Sequence, residues 1–566
     1  MGSMTVSSPP ALSRALVALS AALRDAGLRL ETPGAAAARR TRDELVAQID
    51  DYLLPRLRSM DAPLLMVVGG STGAGKSTLV NSLVGAPVSP AGVLRPTTRA
   101  PVLVCHPGEL EWFEDDRILP GMSRTTGAPA GAGGLELAPT DAMRPGLALL
   151  DSPDIDSVVE ANRALSRQLL AAADAWLFVT TAARYADAVP WELLQAAADR
   201  GTALSLVLDR VAPESADEVA GHLRQMAAER GLGDAQLLVV PEVALQDGLL
   251  PAPALAPVRA WLDALAADAE GRAGVVRRTL TGALDSVPRR VGLVERELAD
   301  QAAVAEGLRA AVEHAYGAAL DEVDEAVHSG ALLRGEVLAR WHEVVGTGDL
   351  MRGLEARLSW VRERVRSLVT GAPPADAELQ AAVRSSVDAV VHAAADRAAE
   401  RAATAWRDRP AGRALLEHGG RLDAASPDLL ARTRDEVRAW QGDVFDLVRR
   451  EAGGRRTTAR LASLGVNGAG LVVMLAVFAS TGGLTGAEAV VAGGTSVAGQ
   501  RVLEALLGDQ AVRTLAAKAR SSLLQRTRTL MAAESSRFDA LLDPVAPGRD
   551  DATRLRHDLA AVESAR

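Results

Sequence analysis

The stretch from Leu64 to Leu83 constrains the fold of this chain more than any other. Five apolar residues, Leu64-Leu65-Met66-Val67-Val68, lead into Gly70-Ser71-Thr72-Gly73-Ala74-Gly75-Lys76-Ser77, and an amphipathic helical pattern follows from Thr78. A strand, a glycine-rich turn and a helix in that order begin a parallel α/β sheet. The glycines let the backbone curl, so that successive N–H groups and the helix N-terminus converge on one point suited to a phosphate. The residues expected around a nucleotide's phosphates are Gly70, Gly73, Ala74, Gly75, Lys76, Ser77 and Thr78. Lys76 is expected to bridge the terminal phosphates, and the Ser77 hydroxyl to ligate magnesium. Of the 62 basic residues only Lys76 and Lys518 are lysines, so the bias that placed arginine elsewhere did not act here. A compact ammonium fits a nest of amides where a forked guanidinium does not.

Between Leu64 and about residue 265, short apolar runs (64–68, 101–105, 147–150, 175–179, 204–208 and 237–240) alternate with helical patterns, which reads as one doubly wound parallel sheet. The stretch Gly121 to Pro145, rich in Gly, Ala, Pro and Thr, reads as a poorly ordered loop between the second and third strands. Helical patterns at Pro10 to Leu28 and Ala36 to Met60 precede the sheet. After about residue 270 the strand signal ends, and Ala/Leu/Val/Arg/Glu patterns at three-to-four spacing run to Arg460, broken at Gly346-Thr347-Gly348, at Gly371 to Pro374 and near Pro427. Aromatics at 3% fit helices packed by Ala and Leu better than β-sandwiches. No fixed-period repeat is found.

The charge balance, 62 basic against 72 acidic residues and net −10, opposes loose binding to a phosphate backbone, so no nucleic-acid partner is expected. The single Cys105 has no partner for an internal disulfide and no Cys/His cluster has metal spacing, which points to a reducing cytoplasm. Arg14, Arg24 and Asp25 interrupt the first apolar stretch, and no secretory signal peptide is expected.

The residues beyond the loop distinguish classes of nucleoside triphosphatase. A Leu-Ser-Gly-Gly signature of transport-type ATPases is absent. Leu94-Arg95-Pro96-Thr97-Thr98-Arg99, about twenty residues after Lys76, stands where a GTPase carries its first switch threonine; Thr98, and second to it Thr97, would complete magnesium coordination in the presence of a γ-phosphate. Leu147-Ala148-Leu149-Leu150-Asp151 is an apolar strand ending in a carboxylate that would hold magnesium through water. On these motifs the chain resembles a bacterial dynamin-like or Era-like P-loop GTPase. That resemblance implies an α/β P-loop NTPase domain with a parallel sheet, embedded in a large all-α helical neck and stalk with a hydrophobic hairpin. The divisions expected are 1–60 N-terminal neck helices, 61–268 GTPase domain, 269–460 stalk or trunk, 461–500 hydrophobic hairpin as a membrane tip and 501–566 C-terminal helices returning to the stalk or neck.

The chain also departs from the family pattern. The second switch reads Asp151-Ser152-Pro153-Asp154 with Asp154 where the family has glycine, and an outward turn of that carboxylate is expected because a γ-phosphate would repel it. The base-reading Asn/Thr-Lys-x-Asp stands as Asp209-Arg210-Val211-Ala212: Asp209 and Arg210 are the nucleotide-binding candidates and Arg210 can stack over a base, but the guanine-reading aspartate is absent. Glu214 and Glu242 are candidate replacements, and ATP or mixed use stays open. Family members that hold a monovalent cation carry Gln-Ser where Thr72 and Gly73 stand. The catalytic candidates are therefore Lys76, Thr98, Ser71 and Thr72, with slow basal hydrolysis raised by self-assembly.

Leu461 to Ala487 holds 27 residues without a charge, and Ala489 to Gln500 another 12. Nineteen of them, Leu461 to Ala479, would span about 28 Å as a helix. Arg455, Arg456, Arg460 and Arg501 flank the segment, as expected of a hairpin entering and leaving a membrane from one side, while a buried core hairpin is the alternative. With the resemblance, the expected function is GTP hydrolysis with Mg2+, coupling head association to membrane binding or remodelling. The partners expected are membrane lipid and a second copy or related GTPase, and the location is cytoplasmic, at the inner face of the cell membrane. A soluble Era-like regulatory GTPase and a non-hydrolysing scaffold are the rival readings. The tryptophans Trp341, Trp360, Trp406 and Trp440 read as core anchors.

Overall fold

A computed structural model describes residues 9–90, 100–115, 117–127, 134–155, 160–199, 201–328, 375–451 and 509–566. The hairpin expected at 461–500, Thr97 and Thr98, Trp341 and Trp360 lie outside them. The chain divides into two compact units, one of residues 1–28, 33–300 and 547–566, the other of 29–32 and 301–546.

The first unit opens with helices α1 (Pro9–Asp25), α2 (Ala35–Gln48) and α3 (Leu54–Arg58), the last two joined by a π-helical turn at Ile49–Leu53. Leu12, Leu16, Leu19 and Leu23 recur every three or four residues along α1 and so form one buried stripe. That stripe packs with Val287, Val291 and Val294 of α9 (Ala269–His328) and with Leu555 and Val562 of the last helix (Asp551–Ala565).

Among the described residues the sheet has eight strands: β1 (Leu64–Gly70), β2 (Val102–Cys105), β3 (Ser123–Thr126), β4 (Gly134–Pro139), β5 (Leu147–Asp151), β6 (Ala175–Thr181), β7 (Ala203–Val211) and β8 (Gln236–Pro241), in the spatial order 3-4-2-5-1-6-7-8. Helices α4 (Lys76–Val84), α5 (Glu160–Ala171), α6 (Ala188–Asp199), α7 (Ala216–Glu229) and α8 (Ala252–Ala267) cover it. Every residue of β1 is buried, and its alternate side chains enter two cores. Leu65 and Val67 pack with Leu169, Leu194 and Leu223, whereas Leu64, Met66 and Val68 pack with Leu79, Val80 and Leu255. Burial on both faces is why the strand reads as a continuous apolar run.

Two expectations need correction. The loop expected between Gly121 and Pro145 contains β3 and β4, parallel to each other, with β4 paired to β2. The sheet is also not wholly parallel, because β2 runs antiparallel to β5, Val102 standing opposite Asp151. The other pairings are parallel.

The elements described in the second unit are helices: residues 301–328 of α9, then α10 (Ala375–Arg407), α11 (Pro410–His418), α12 (Leu429–Glu451) and α13 (Asp509–Leu542), with Asp551–Ala565 of the first unit as α14. Ala394, Ala395, Ala398 and Ala402 are buried on α10, where small side chains let helix surfaces approach. Trp406 and Trp440 are its anchors, as the helical spacing indicates. Each is fully buried and donates its indole N–H to a backbone carbonyl, Leu308 at 3.0 Å and Ala519 at 2.9 Å. Phe538 meets Trp406 edge to face at 5.1 Å between ring centres. No helix of the described residues is long and apolar enough to cross a membrane.

Candidate functional site: a phosphate-binding loop with its metal-side carboxylate

The C-terminal end of β1 turns sharply at Gly70, whose φ is +150°; a Cβ there would stand 2.1 Å from the carbonyl oxygen of Val179 in β6, so only glycine fits. Gly75 caps α4 with φ +93°, and a Cβ would meet the Asp209 carboxylate at 2.4 Å. These two constraints fold residues 71–75 back over the start of α4, with the Ala74 N–H donating to the Ser71 carbonyl at 3.0 Å. Lys76 and Ser77 then lie in the first turn of α4, Thr78 beside them, half-buried, its carbonyl accepting the Ser82 hydroxyl. Ser71 is buried, and its hydroxyl has no hydrogen-bond partner.

Two arginines brace the loop from outside. Arg184, after β6, donates to the Thr72 carbonyl at 2.7 Å. Arg210 donates to the Gly73 carbonyl and holds a left-handed backbone, φ +57°, a conformation seldom adopted by a residue with a long side chain. Asp209 beside it is buried; burial pushes its carboxyl up to about 6, with Arg210 opposing and Glu242 adding to the rise. Glu242 donates its N–H to the Val211 carbonyl at 2.9 Å, which puts it at the same end of the sheet as Arg210. Glu214 sits exposed on a 3-10 turn after Ala212.

Asp151, the last residue of β5, pairs through its backbone with Val68 on one side and Val102 on the other. Its side chain is fully buried. One carboxylate oxygen accepts from the Ser77 hydroxyl at 2.6 Å and the Ser89 hydroxyl at 2.5 Å, and the other has no hydrogen-bond partner. Burial raises the Asp151 carboxyl above its usual range; the bonds from Ser77 and Ser89 and the charge of Lys76 pull it back in part, and Asp154 raises it further. Such a carboxylate is suited to pairing with a cation. The serine hydroxyl and the open oxygen together fit a hard, oxygen-seeking ion such as Mg2+, which takes few protein ligands and several waters.

Sequence reasoning missed Ser89 and Asn81. The Asn81 side chain clamps the Ser89 backbone with two bonds of 2.8 Å. A polar asparagine on the buried side of α4 was the available signal. Thr98 and Thr97 fall in 91–99, outside the described residues, whose two flanks both reach Asp151, Ser89 by its hydroxyl and Val102 by strand pairing.

Asp154 corrects another expectation. It turns inward: its carboxylate is 2.5 Å from Lys76 Nζ, and Lys76 is only 5% exposed. The repulsion that would drive it outward requires a phosphate. The carboxylate instead pairs with the Lys76 ammonium.

A strand, glycine loop, lysine, serine and strand-end carboxylate in this arrangement, on this sheet, define an α/β P-loop nucleoside triphosphatase fold. No family model matches the chain, and no curated protein matches it. Among solved structures the chain is similar to a bacterial dynamin from an oligomerised pair that provides a mechanism for long-range sensing and tethering of membranes, at 11% identity and TM-score 0.32 over 93% of this chain and 95% of that one. It is similar also to LeoA, a bacterial dynamin GTPase from ETEC, at 9% identity and TM-score 0.25 over 99% of both chains. A third similarity is to Toc33 from Arabidopsis thaliana in complex with Mg2+ and GMPPNP, at 14% identity and TM-score 0.24, over 42% of this chain and 94% of that one.

Proposed function

We propose that this chain binds and hydrolyses GTP with Mg2+, and that nucleotide-dependent association of its sheet domains drives membrane binding or remodelling through its helical part, in the manner of a dynamin-like GTPase. The observation that carries the nucleotide half is the Lys76, Ser77 and Asp151 constellation, an ammonium and an open carboxylate oxygen meeting at one helix N-terminus. Backbone N–H groups of Gly73 and of Gly75 to Ser77 orient the phosphates, and the Lys76 ammonium neutralises charge on the terminal ones. Bound Mg2+ would be held by Ser77, by Asp151 through water and by Thr98, and supplies charge stabilisation to the transferring phosphoryl group. Ser71 and Thr72 of the loop are the residues assigned to position water in this reading. Arg210 lies against the loop where a base plane would stack, and Glu242 is the acceptor offered for the guanine edge in place of Ala212.

The membrane half is supported by the uncharged residues 461–487 with their arginine flanks. We place the protein in the cytoplasm, at the inner face of the cell membrane, with lipid and a second copy or related GTPase as partners. The test is flotation with anionic liposomes in GTP, GDP and a non-hydrolysable analogue, with phosphate release read from the same samples and a variant lacking 461–500 alongside. Hairpin-dependent flotation with lipid-stimulated turnover is expected. Flotation of the deletion variant equal to the intact chain would remove the membrane half, and turnover of ATP equal to GTP would remove the base assignment.

A further inference from the structure

The ammonium of Lys76 has three N–H donors, and the protein itself occupies all three: the Gly70 carbonyl at 2.9 Å, the Ser71 carbonyl at 3.2 Å and the Asp154 carboxylate at 2.5 Å. These bonds are unequal. The one to Ser71 is long and neutral, so a diphosphate oxygen replaces it at little cost. The one to Asp154 is short and joins opposite charges in a place where Lys76 is almost wholly removed from water, and such bonds are about twice as strong as neutral ones.

We propose that Asp154 is a specificity-determining residue: its carboxylate holds the Lys76 donor that the terminal phosphate of a nucleoside triphosphate must take, so the resting site favours a diphosphate. The inference rests on the nucleotide-binding reading above. A triphosphate must both break the Lys76–Asp154 pair and move the carboxylate away from its own terminal oxygens, since two like charges cannot share one ammonium at hydrogen-bond distance without repulsion. A diphosphate leaves the pair intact and meets the weaker repulsion, since it brings no terminal γ-phosphate against the carboxylate. The flanks of Asp154 favour the inward position: the Ser152 hydroxyl donates to the Val68 carbonyl at 2.9 Å, and the Ser166 hydroxyl to the Pro153 carbonyl at 2.7 Å. Both bonds hold the segment against β1 and α5 while leaving the Asp154 side chain itself free to turn about its own bonds.

The experiment compares equilibrium binding of GDP and of GMPPNP, with Mg2+, to the full chain and to its Asp154→Asn and Asp154→Ala variants. Asn keeps the shape without the charge, and Ala removes the acceptor, so a folding defect in one does not silence the other. GMPPNP affinity is expected to rise by about 10-fold or more in both variants, while GDP affinity moves by less than about 3-fold. An unchanged ratio of the two affinities, whether both rise, both fall or neither moves, overturns the assignment. If the unaltered chain binds neither nucleotide and behaves like Lys76→Ala, the nucleotide reading itself fails, a result distinct from a chain that binds both but does not respond at position 154.

Discussion

Two carboxylates without solvent exposure, Glu534 in the helical unit and Asp151 at the phosphate loop, are held in opposite ways. Glu534 on α13 accepts from the Ser426 N–H at 2.8 Å, the Ser426 hydroxyl at 2.5 Å, Arg432, and Arg537 at 3.0 Å. Burial alone would raise its carboxyl, but the bonds from Ser426, Arg432 and Arg537 outweigh that and hold it below the usual glutamate range. Asp151 has one oxygen with two serines and another with none, and its carboxyl is raised. Glu534 has partners on both carboxylate oxygens, whereas Asp151 has them on one alone.

The sheet domain is not careless elsewhere, and the sharpest test begins there. Asp174, before β6, is bonded twice to Arg56 of α3 and accepts the Leu65 N–H at 2.8 Å, with both side chains buried. Asp174→Ala strands the Arg56 guanidinium and is expected to cost about 3–5 kcal/mol of stability, read by urea unfolding. Glu534→Ala is expected to cost less, about 2–4 kcal/mol, because Arg432 and Arg537 are partly exposed and regain water. A loss under about 1 kcal/mol at either position would break the contrast between answered and unanswered charge.

The pH dependence has a definite sign. The folded-state pKa of Glu534 is lowered, so its contribution is full above the ordinary glutamate range and is lost as pH falls through the lowered value. The melting difference between the unaltered chain and Glu534→Gln should hold steady from about pH 7 to pH 5.5 and narrow below about pH 4.5. A widening gap on acidification would reverse the assignment.

Asp151→Asn is expected to shift stability by no more than about 1 kcal/mol, since it removes a charge the fold does not satisfy, yet to lower Mg2+-dependent turnover about 10- to 100-fold. Stability and activity falling together would make Asp151 a structural residue like Asp174. Smallest of all, Ser89→Ala should cost about 0.5–1 kcal/mol by calorimetry, the worth of one hydrogen bond.

The phosphate loop was legible because its requirements are local: Gly70 and Gly75 fail with any side chain, and Lys76 and Ser77 follow within two residues. The buried strands were legible because β1, β5 and β6 are apolar on both faces. Ser123–Thr126 was not, because an edge strand with exposed, polar side chains looks like the loop around it. The reversal of β2 has no signature in composition, since an apolar run pairs equally well in either direction. Asp154 was misread because the sequence suggested its opponent, a phosphate, but not the distance to Lys76. Ser89 depended on Asn81 and Asp151, partners brought to it only by folding.

The seclusion of Lys76 also bears on the covalent chemistry of the chain. Lys76 and Lys518 carry the only two side-chain primary amines in 566 residues. Lys518 lies exposed on α13, whereas Lys76 is folded away behind three acceptors. An acylating reagent, or a protease that cleaves after lysine, therefore meets one side-chain address on the closed chain and a second only when the loop releases its ammonium, so a single mass shift or cut at position 76 becomes a clock for that opening.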